Sequence, residues 1–238
     1  MRILCWNCEG SLRDKEEAII SLNPDIAIIP ESEYFKNIDS DNYHLQAKQH
    51  LWFPRGERNK VLSVLIYTNY KMDVYDYFKK EYKIIAPLSI TGKATFDLYA
   101  IYANNPEDPD NQYIEQVLKA INHYKDKLNN NCMLIGDFNS NIIFDKTYNN
   151  TDHSRVIELL SKKHIYSCYH SYFKEEPGKE IMPTLYMQKN KNRPYHIDCC
   201  FASEAFIKKI KGITIGKYKD WIHLSDHMPI VFDFSDQT

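Results

Sequence analysis

No stretch of the chain approaches the ~20 apolar residues that a membrane-spanning helix needs, and the opening segment Met1–Trp6 carries only a short apolar run before Asn7 and Glu9. Neither a membrane span nor a secretory signal peptide is expected, so the chain reads as soluble and cytoplasmic, with no membrane partner. Excess charge is missing as well: 30 Lys and Arg stand against 32 Asp and Glu, a formal net charge of −2. With no global positive field to draw it to a polyanion, any nucleic-acid binding has to rest on a local basic patch. Repeats, low-complexity tracts and linkers are also absent. The 238 residues, 43% of them hydrophobic, suit one large α/β domain or two small ones. Without a linker the expectation is a single domain over 1–238, with nothing that points to an obligate protein partner.

Cysteine is present but forms no ordered framework. The six residues are unevenly placed and partly inside apolar strands, which suits a reducing compartment. Cys5, Cys8, Cys199 and Cys200 offer four thiolates for a soft metal such as zinc. Against that, Cys5 and Cys8 fall on opposite faces of an extended strand, and a free cysteine packs as a small hydrophobe.

What is there centres on Cys132–Asn139. Cys132 to Ile135 is a short apolar run of the buried-strand type, and Gly136 lets the chain leave it tightly, so that Asp137 and Asn139 stand at its mouth. An Asx turn accounts for an isolated Asp-x-Asn, but this one has company. Arg2–Trp6 predicts a first strand that delivers Asn7, Cys8 and Glu9. Ser11 then caps a helix bearing Leu12, Ala18, Ile19 and Leu22, stopped by Asn23-Pro24. Asp25–Ile29 predicts a second strand ending in Glu31, and strand, helix, strand in so few residues implies a right-handed parallel crossover. Asn7, Glu9 and Glu31 are thereby expected at one sheet edge, where α/β proteins place ligands, while Glu33 reads as a solvated loop residue.

Val61–Tyr67, Lys71–Tyr77, Lys83–Ile90 and Ala94–Tyr102 read as an antiparallel run of strands. Trp52, Phe53, Arg55 and Arg58 read as a surface loop. Asp108-Pro109 opens a helix carrying Ile114, Val117, Leu118, Ile121 and Leu128, and Asp152 caps one carrying Val156, Leu159 and Leu160. Later, Tyr195–Phe201 reads as a strand with Asp198 inside or near its end, and a carboxylate in an apolar strand needs a partner. Ser225-Asp226-His227 precedes a strand at Val231–Phe234. A histidine at a strand entrance titrates near neutrality when a second carboxylate orients it, although Asp-His alone is more often a loop pair. Lys189, Lys191 and Arg193, with Lys162, Lys163, Lys174 and Tyr195, form either a local patch for a nucleic-acid backbone or a solvated loop.

Taken in order, Trp6-Asn7-Cys8-Glu9-Gly10, Pro30-Glu31, Tyr102, Gly136-Asp137-Phe138-Asn139, His196-Ile197-Asp198 and Ser225-Asp226-His227 resemble, over nearly the whole chain, the endonuclease/exonuclease/phosphatase superfamily of exonuclease III and deoxyribonuclease I. The resemblance implies a four-layer α/β sandwich, two mixed β-sheets packed face to face with helices outside. It implies a phosphoesterase, most simply a nuclease acting on DNA or RNA, with Mg²⁺ or Mn²⁺ held by Glu31 with Asn7 and Glu9, and Asp226 contributing. Oxygen donors of that kind suit such ions. Asp137 is implied to orient or deprotonate the attacking water, Asn139 to bond the phosphoryl oxygen, and His227, oriented by Asp198, to contact phosphate or act as acid or base. Tyr102 matches a tyrosine near the leaving group in exonuclease III-like members. Lys189, Lys191, Arg193 and His196 are the candidate substrate contacts.

Departures narrow the substrate. Pro30 stands where many members have Gln, Ser11 lengthens the segment before Leu12-Arg13, and Asn141 and His196-Ile197-Asp198 replace residues typical of the inositol-phosphatase branch. Hydrolysis of a small phosphate ester or phospholipid is the second enzyme reading, and a non-catalytic binding module that keeps the fold is the third. Sequence leaves DNA against RNA, endo against exo action, the number of metal ions and the oligomeric state open.

Overall fold

The computed structural model describes residues 1–33, 44–54, 60–104, 113–145 and 152–235; Arg55, Arg58 and the expected helix start at Asp108-Pro109 lie outside them. Among the described residues, aliphatic and β-branched runs form two six-stranded mixed sheets and a two-stranded ribbon. The first sheet has the order β13-β14-β1-β2-β4-β3, with β1 at Arg2–Cys5, β2 at Ile26–Glu33, β3 at Gln49–Pro54, β4 at Lys60–Ile66, β13 at Ile210–Ile215 and β14 at Ile230–Phe234. The second has the order β5-β6-β7-β8-β12-β9, with β5 at Lys71–Val74, β6 at Ile85–Thr91, β7 at Phe96–Tyr102, β8 at Cys132–Asp137, β9 at Ile165–Ser167 and β12 at Asp198–Ser203. The ribbon pairs β10 (Leu185–Tyr186) with β11 (Pro194–Tyr195).

Each sheet contains one parallel pair, and each pair is bridged by a helix. The helix α1 (Leu12–Ser21) lies between β1 and β2, and α2 (Ile114–Tyr124) between β7 and β8. All other neighbours are antiparallel. The strands are apolar on both faces because both are covered. Ile3, Cys5, Ile28 and Val64 of the first sheet meet Leu88, Leu98, Ala100 and Ile135 of the second in a central core. On the outer side of the first sheet, Leu4, Trp6 and Ile29 pack on Leu12 and Ile19 of α1. On the outer side of the second, Tyr99, Ile101 and Leu134 pack on α2 through Val117 and Ile121, and on α3 (His153–Ser161) through Val156 and Leu160. The layers run helix, sheet, sheet, helix, the four-layer sandwich expected from the sequence.

Several local expectations change. The strand run from Val61 to Tyr102 is not one antiparallel meander: β4 joins the first sheet beside β2, whereas β5, β6 and β7 build the second. Period-2 apolar strands look alike whichever sheet they enter, because both sheets bury both faces. Trp52 and Phe53 lie in strand β3, with Phe53 buried in the central core, and are not loop residues. Ser11 stands at the N-cap of α1, but in left-handed backbone (φ 53°) and without a side-chain cap bond. Asp152 does cap α3, its carboxylate accepting from Arg155 N. Leu128 falls beyond the end of α2 and is nonetheless buried.

Gly136 has a different reason from a tight exit. It lies inside β8, directly opposite Ile101 of β7, with φ 154°. A Cβ there would stand 1.8 Å from the Ile101 carbonyl oxygen. Glycine is required by the close approach of two backbones, one residue before Asp137. The variant Gly136→Ala is expected to lose about 3–5 kcal/mol of unfolding free energy in urea denaturation, from overpacking against rigid backbone; a loss below about 1 kcal/mol would show that β7 and β8 can separate at this point.

Candidate active site

Parallel pairing puts the C-terminal ends of β1 and β2 at one edge of the first sheet, and antiparallel pairing brings the entrance to β14 there too. The same logic places the ends of β7 and β8 and the start of β12 at one edge of the second sheet. Side chains stitch the two edges together. Asn7 Nδ2 donates to Asp137 Oδ2 at 2.9 Å, the Tyr102 hydroxyl donates to Glu31 Oε1 at 3.1 Å, and His227 Nδ1 lies 2.8 Å from Asp198 Oδ2.

The backbone explains how each group arrives. Beyond β1 the chain continues to pair with β2: Trp6 N donates to Ile28 O, Cys8 N to Pro30 O and Gly10 N to Glu31 O. The register between β2 and β4 shifts between Ile29 and Ser32, a bulge that holds Pro30 and Glu31. Glu31 (φ 56°) and Glu9 (φ 54°) both sit in left-handed backbone, an uncommon state for residues of this type, and bulges of this kind re-aim side chains beside active sites. Pro30 has no backbone N–H to donate, but its carbonyl still accepts from Cys8 N. Asn7 Oδ1 accepts from Glu9 N at 3.1 Å, and Lys15 of α1 donates to the Cys8 carbonyl, closing the turn.

Asp137 and Asp198 are cross-strand partners on β8 and β12, with 0% and 1% exposure. Asp137 accepts from Asn7, from Asn139 N at 2.8 Å and from Asn139 Nδ2 at 3.0 Å. Burial first, then the neighbouring Asp198 charge, pushes its carboxyl up to about 7, against the pull of His227 and these donors. For His227, burial works against the charged ring, but Asp198, by charge and hydrogen bond, with Asp137 and Asp226 beyond it, prevails and raises the imidazole to about 10. Asp226 is half-buried, and its carboxyl is raised by burial and by the like charges of Glu9 and Glu31.

Two donor sets are thus adjacent. Ligand atoms of Asp137, Asp198 and His227 all lie within 4.8 Å of one another, with His227 hydrogen-bonded to Asp198 and Asp137 held separately by three donors from Asn7 and Asn139. Beside them, Asn7 Oδ1 accepts from Glu9 N, and in the same neighbourhood the Asp226 carboxylate feels the like charges of Glu9 and Glu31. That is the chemistry a hard divalent cation relieves.

The remaining candidates separate. Asn139 uses both amide hydrogens inside the protein, on Asp137 and on the Ala103 carbonyl at 2.7 Å. Lys189, Lys191 and Arg193 are exposed on the turn between β10 and β11, and Lys189 pairs with Glu9 at 3.0 Å. This brings the turn to the site, since Tyr186 N also donates to the Asp226 carbonyl. His196 is a correction to the expected substrate contacts: it is buried at 5% exposure, its Nδ1 lies 2.8 Å from the Met182 carbonyl and its ring packs on Tyr169. Cys5 and Cys8 enter different cores, and burial pushes their thiols up, Cys8 to about 12, so no thiolate cluster for zinc exists there. Two positioning residues escaped notice in the sequence. The Ser225 hydroxyl donates to the Asn7 carbonyl at 2.8 Å and accepts from His227 N at 3.0 Å. Thr184 Oγ1 accepts from both Ile197 N and Asp198 N at 3.0 Å. Ser225 was visible as part of a motif without a role, whereas Thr184 carries no sequence signal at all.

No family model and no curated protein sequence matches the chain. Solved structures do. An AP endonuclease from Archaeoglobus fulgidus superposes with a TM-score of 0.75 at 15% identity, over 99% of both chains. The endonuclease domain of TRAS1, a telomere-specific non-LTR retrotransposon, gives 0.69 at 17% identity over 100% of this chain and 99% of its own. The 3′ phosphatase NExo from Neisseria, bound to product DNA hairpin, gives 0.72 at 14% identity over 99% of both. The fold is that of the endonuclease/exonuclease/phosphatase structures. Within this endonuclease/exonuclease/phosphatase fold, the residues gathered at the shared edge are the ones the sequence motifs single out.

The linkage of site charge to stability has a definite sign. His227 is raised above its usual 6.5, so its contribution is complete below pH 6.5 and disappears as pH rises through about 10. Asp137 is raised from 3.8 to about 7, so ionising it costs stability as pH climbs through that interval. Both act in the same direction. In EDTA, the melting temperature is expected to fall between pH 6.5 and pH 10, and the fall is expected to shrink in Asp198→Asn; a flat profile in the unmodified protein would contradict a buried His227–Asp198 ion pair.

Proposed function

We propose that the chain is a divalent-metal-dependent phosphoesterase that hydrolyses phosphodiester bonds of nucleic acid. The observation that carries the proposal is the gathering of Asp137, Asp198 and His227 beside the carboxylates Glu9, Glu31 and Asp226, with Asn7 hydrogen-bonded to both Asp137 and Glu9, at one edge of a fold whose solved relatives bear the names of DNA-processing enzymes. Glu31, Glu9, Asp226 and Asn7 would hold Mg²⁺ or Mn²⁺, which when bound neutralises phosphate charge and polarises the ester.

The chain's own groups do the rest. The Tyr102 hydroxyl fixes the Glu31 carboxylate. Asn139, now bonded to Asp137, exchanges that bond for one to the phosphoryl oxygen, which uncovers the Asp137 carboxylate for the attacking water. A base poised near neutrality is suited to accept that water's proton. His227 keeps its orientation through Asp198 and presents positive charge where charge develops on the phosphate. Lys189, Lys191 and Arg193 line the approach as phosphate contacts, with Lys189 held ready by Glu9.

Purified protein with end-labelled single- and double-stranded DNA and RNA is expected to cleave in Mg²⁺ or Mn²⁺ and not in EDTA. Asp137→Asn and His227→Gln are each expected to lose about 10²–10⁴-fold in rate with the fold retained by circular dichroism. An unchanged rate in either variant removes the corresponding role. A phosphomonoester is the second reading, favoured by the NExo name, and release of inorganic phosphate without shortening of the strand would select it.

A further inference from the structure

A second cluster of chemically competent side chains lies on the outer edge of the second sheet, at β9 and the helix that follows it, α4 (Cys168–Phe173). The Ser167 hydroxyl lies 2.7 Å from His170 Nδ1, and His170 Nε2 lies 2.9 Å from Glu180 Oε1. Glu180 is nearly sealed, at 6% side-chain exposure against 18% for His170, and also accepts from Gly178 N at 3.0 Å. Although burial works the other way, these donors hold its carboxyl down to about 2, so it is an anion at neutral pH. An ionised carboxylate can only accept, so Nε2 carries a proton toward Glu180, and in the neutral ring Nδ1 is the acceptor that faces the serine. Beside this chain lies a cavity of about 260 Å³ that Ser167 and His170 line together with Ile157, Ile165, Tyr166 and Phe201.

We infer that Ser167, His170 and Glu180 form a second, hydrolytic site in which Ser167 is a base-activated nucleophile for short-chain carboxylic esters. A nucleophile, a base and a carboxylate that orients the base are recognised by geometry, not by order in the chain. Helix capping accounts for part of the contact, since Ser167 also accepts from His170 N, but at 3.4 Å that bond is weak beside the 2.7 Å contact to the ring. Capping does not call for Glu180 on the far nitrogen, nor for a cavity against the hydroxyl. The lining takes an apolar group, and the volume lies below the ~300–1,000 Å³ of sites for drug-sized ligands, which favours a short acyl chain. In the reaction Oγ bonds to the acyl carbon as His170 takes its proton. The ester C–O bond breaks, and the alcohol leaves with that proton. Water then attacks the acyl-serine, losing a proton through His170, and the acid departs as Oγ is reprotonated.

The test uses the full chain with an alkyl fluorophosphonate and with p-nitrophenyl butyrate. One adduct per chain is expected, mapped by mass spectrometry to the peptide containing Ser167, together with p-nitrophenol release that Ser167→Ala abolishes while metal-dependent phosphoesterase activity persists. Glu180→Gln is expected to slow labelling about 10²-fold. Absence of an adduct on Ser167 in the unmodified native chain, or labelling at the same rate after prior unfolding or in Glu180→Gln, would leave Ser167 as a helix cap only. The peptide map of the unmodified chain decides this even if a variant fails to fold.

Discussion

Two carboxylates, Asp137 and Asp198, face each other across adjacent antiparallel strands with almost no access to water. Like charges directly opposite in a ladder repel, and burial makes each more expensive still. The arrangement persists because partners converge on it: Asn7 from the segment after β1 and His227 from the approach to β14, both from the first sheet's side, and Asn139 from the turn after β8. Removing any of these strands a buried negative charge. The site therefore specifies how the two sheets must align at this edge, in addition to using that alignment.

The sandwich supplies such an edge twice over. Each sheet has a parallel pair spanned by a helix, and the ends of both pairs point the same way, so four strand exits and two strand entrances share one rim. Local backbone irregularity then aims the groups. The bulge at Pro30-Glu31, left-handed backbone at Glu9, Glu31 and Asn139, and the glycine-only contact at Gly136 all cluster there. Regular pairing elsewhere, through long apolar strands covered on both faces, supplies the rigidity against which these residues are held.

Much of this was legible in the residues. Asp198 inside an apolar strand announced a buried partner, and the Asn7, Glu31 and Gly136–Asn139 segments each ended a strand in the pattern that a shared edge requires. What stayed hidden had physical causes. Strands buried on both faces carry no label for the sheet they join, so β4 was indistinguishable from β5 to β7. His196 sits two residues from Asp198 and on the same side of the chain in extended backbone, yet lies under Tyr169, because what covers a residue is decided by a segment far along the chain. Thr184 acts through one hydroxyl on two backbone amides, and any small polar residue in an irregular stretch looks the same.

The segments that complete the site come from opposite ends of the described chain. The Trp6 indole donates to the His227 carbonyl and Ser225 to the Asn7 carbonyl, while Arg2 pairs with Asp233 at the far end of the same two strands. Contacts spanning more than two hundred residues form late in folding, because loop closure must precede their reward. During synthesis, then, β1 and its Asn7–Gly10 extension emerge more than two hundred residues ahead of the segment that bonds to them. The constellation at the rim is thus closed in one step, when residues 225–234 dock and bring Asp226 and His227 to side chains laid down long before them.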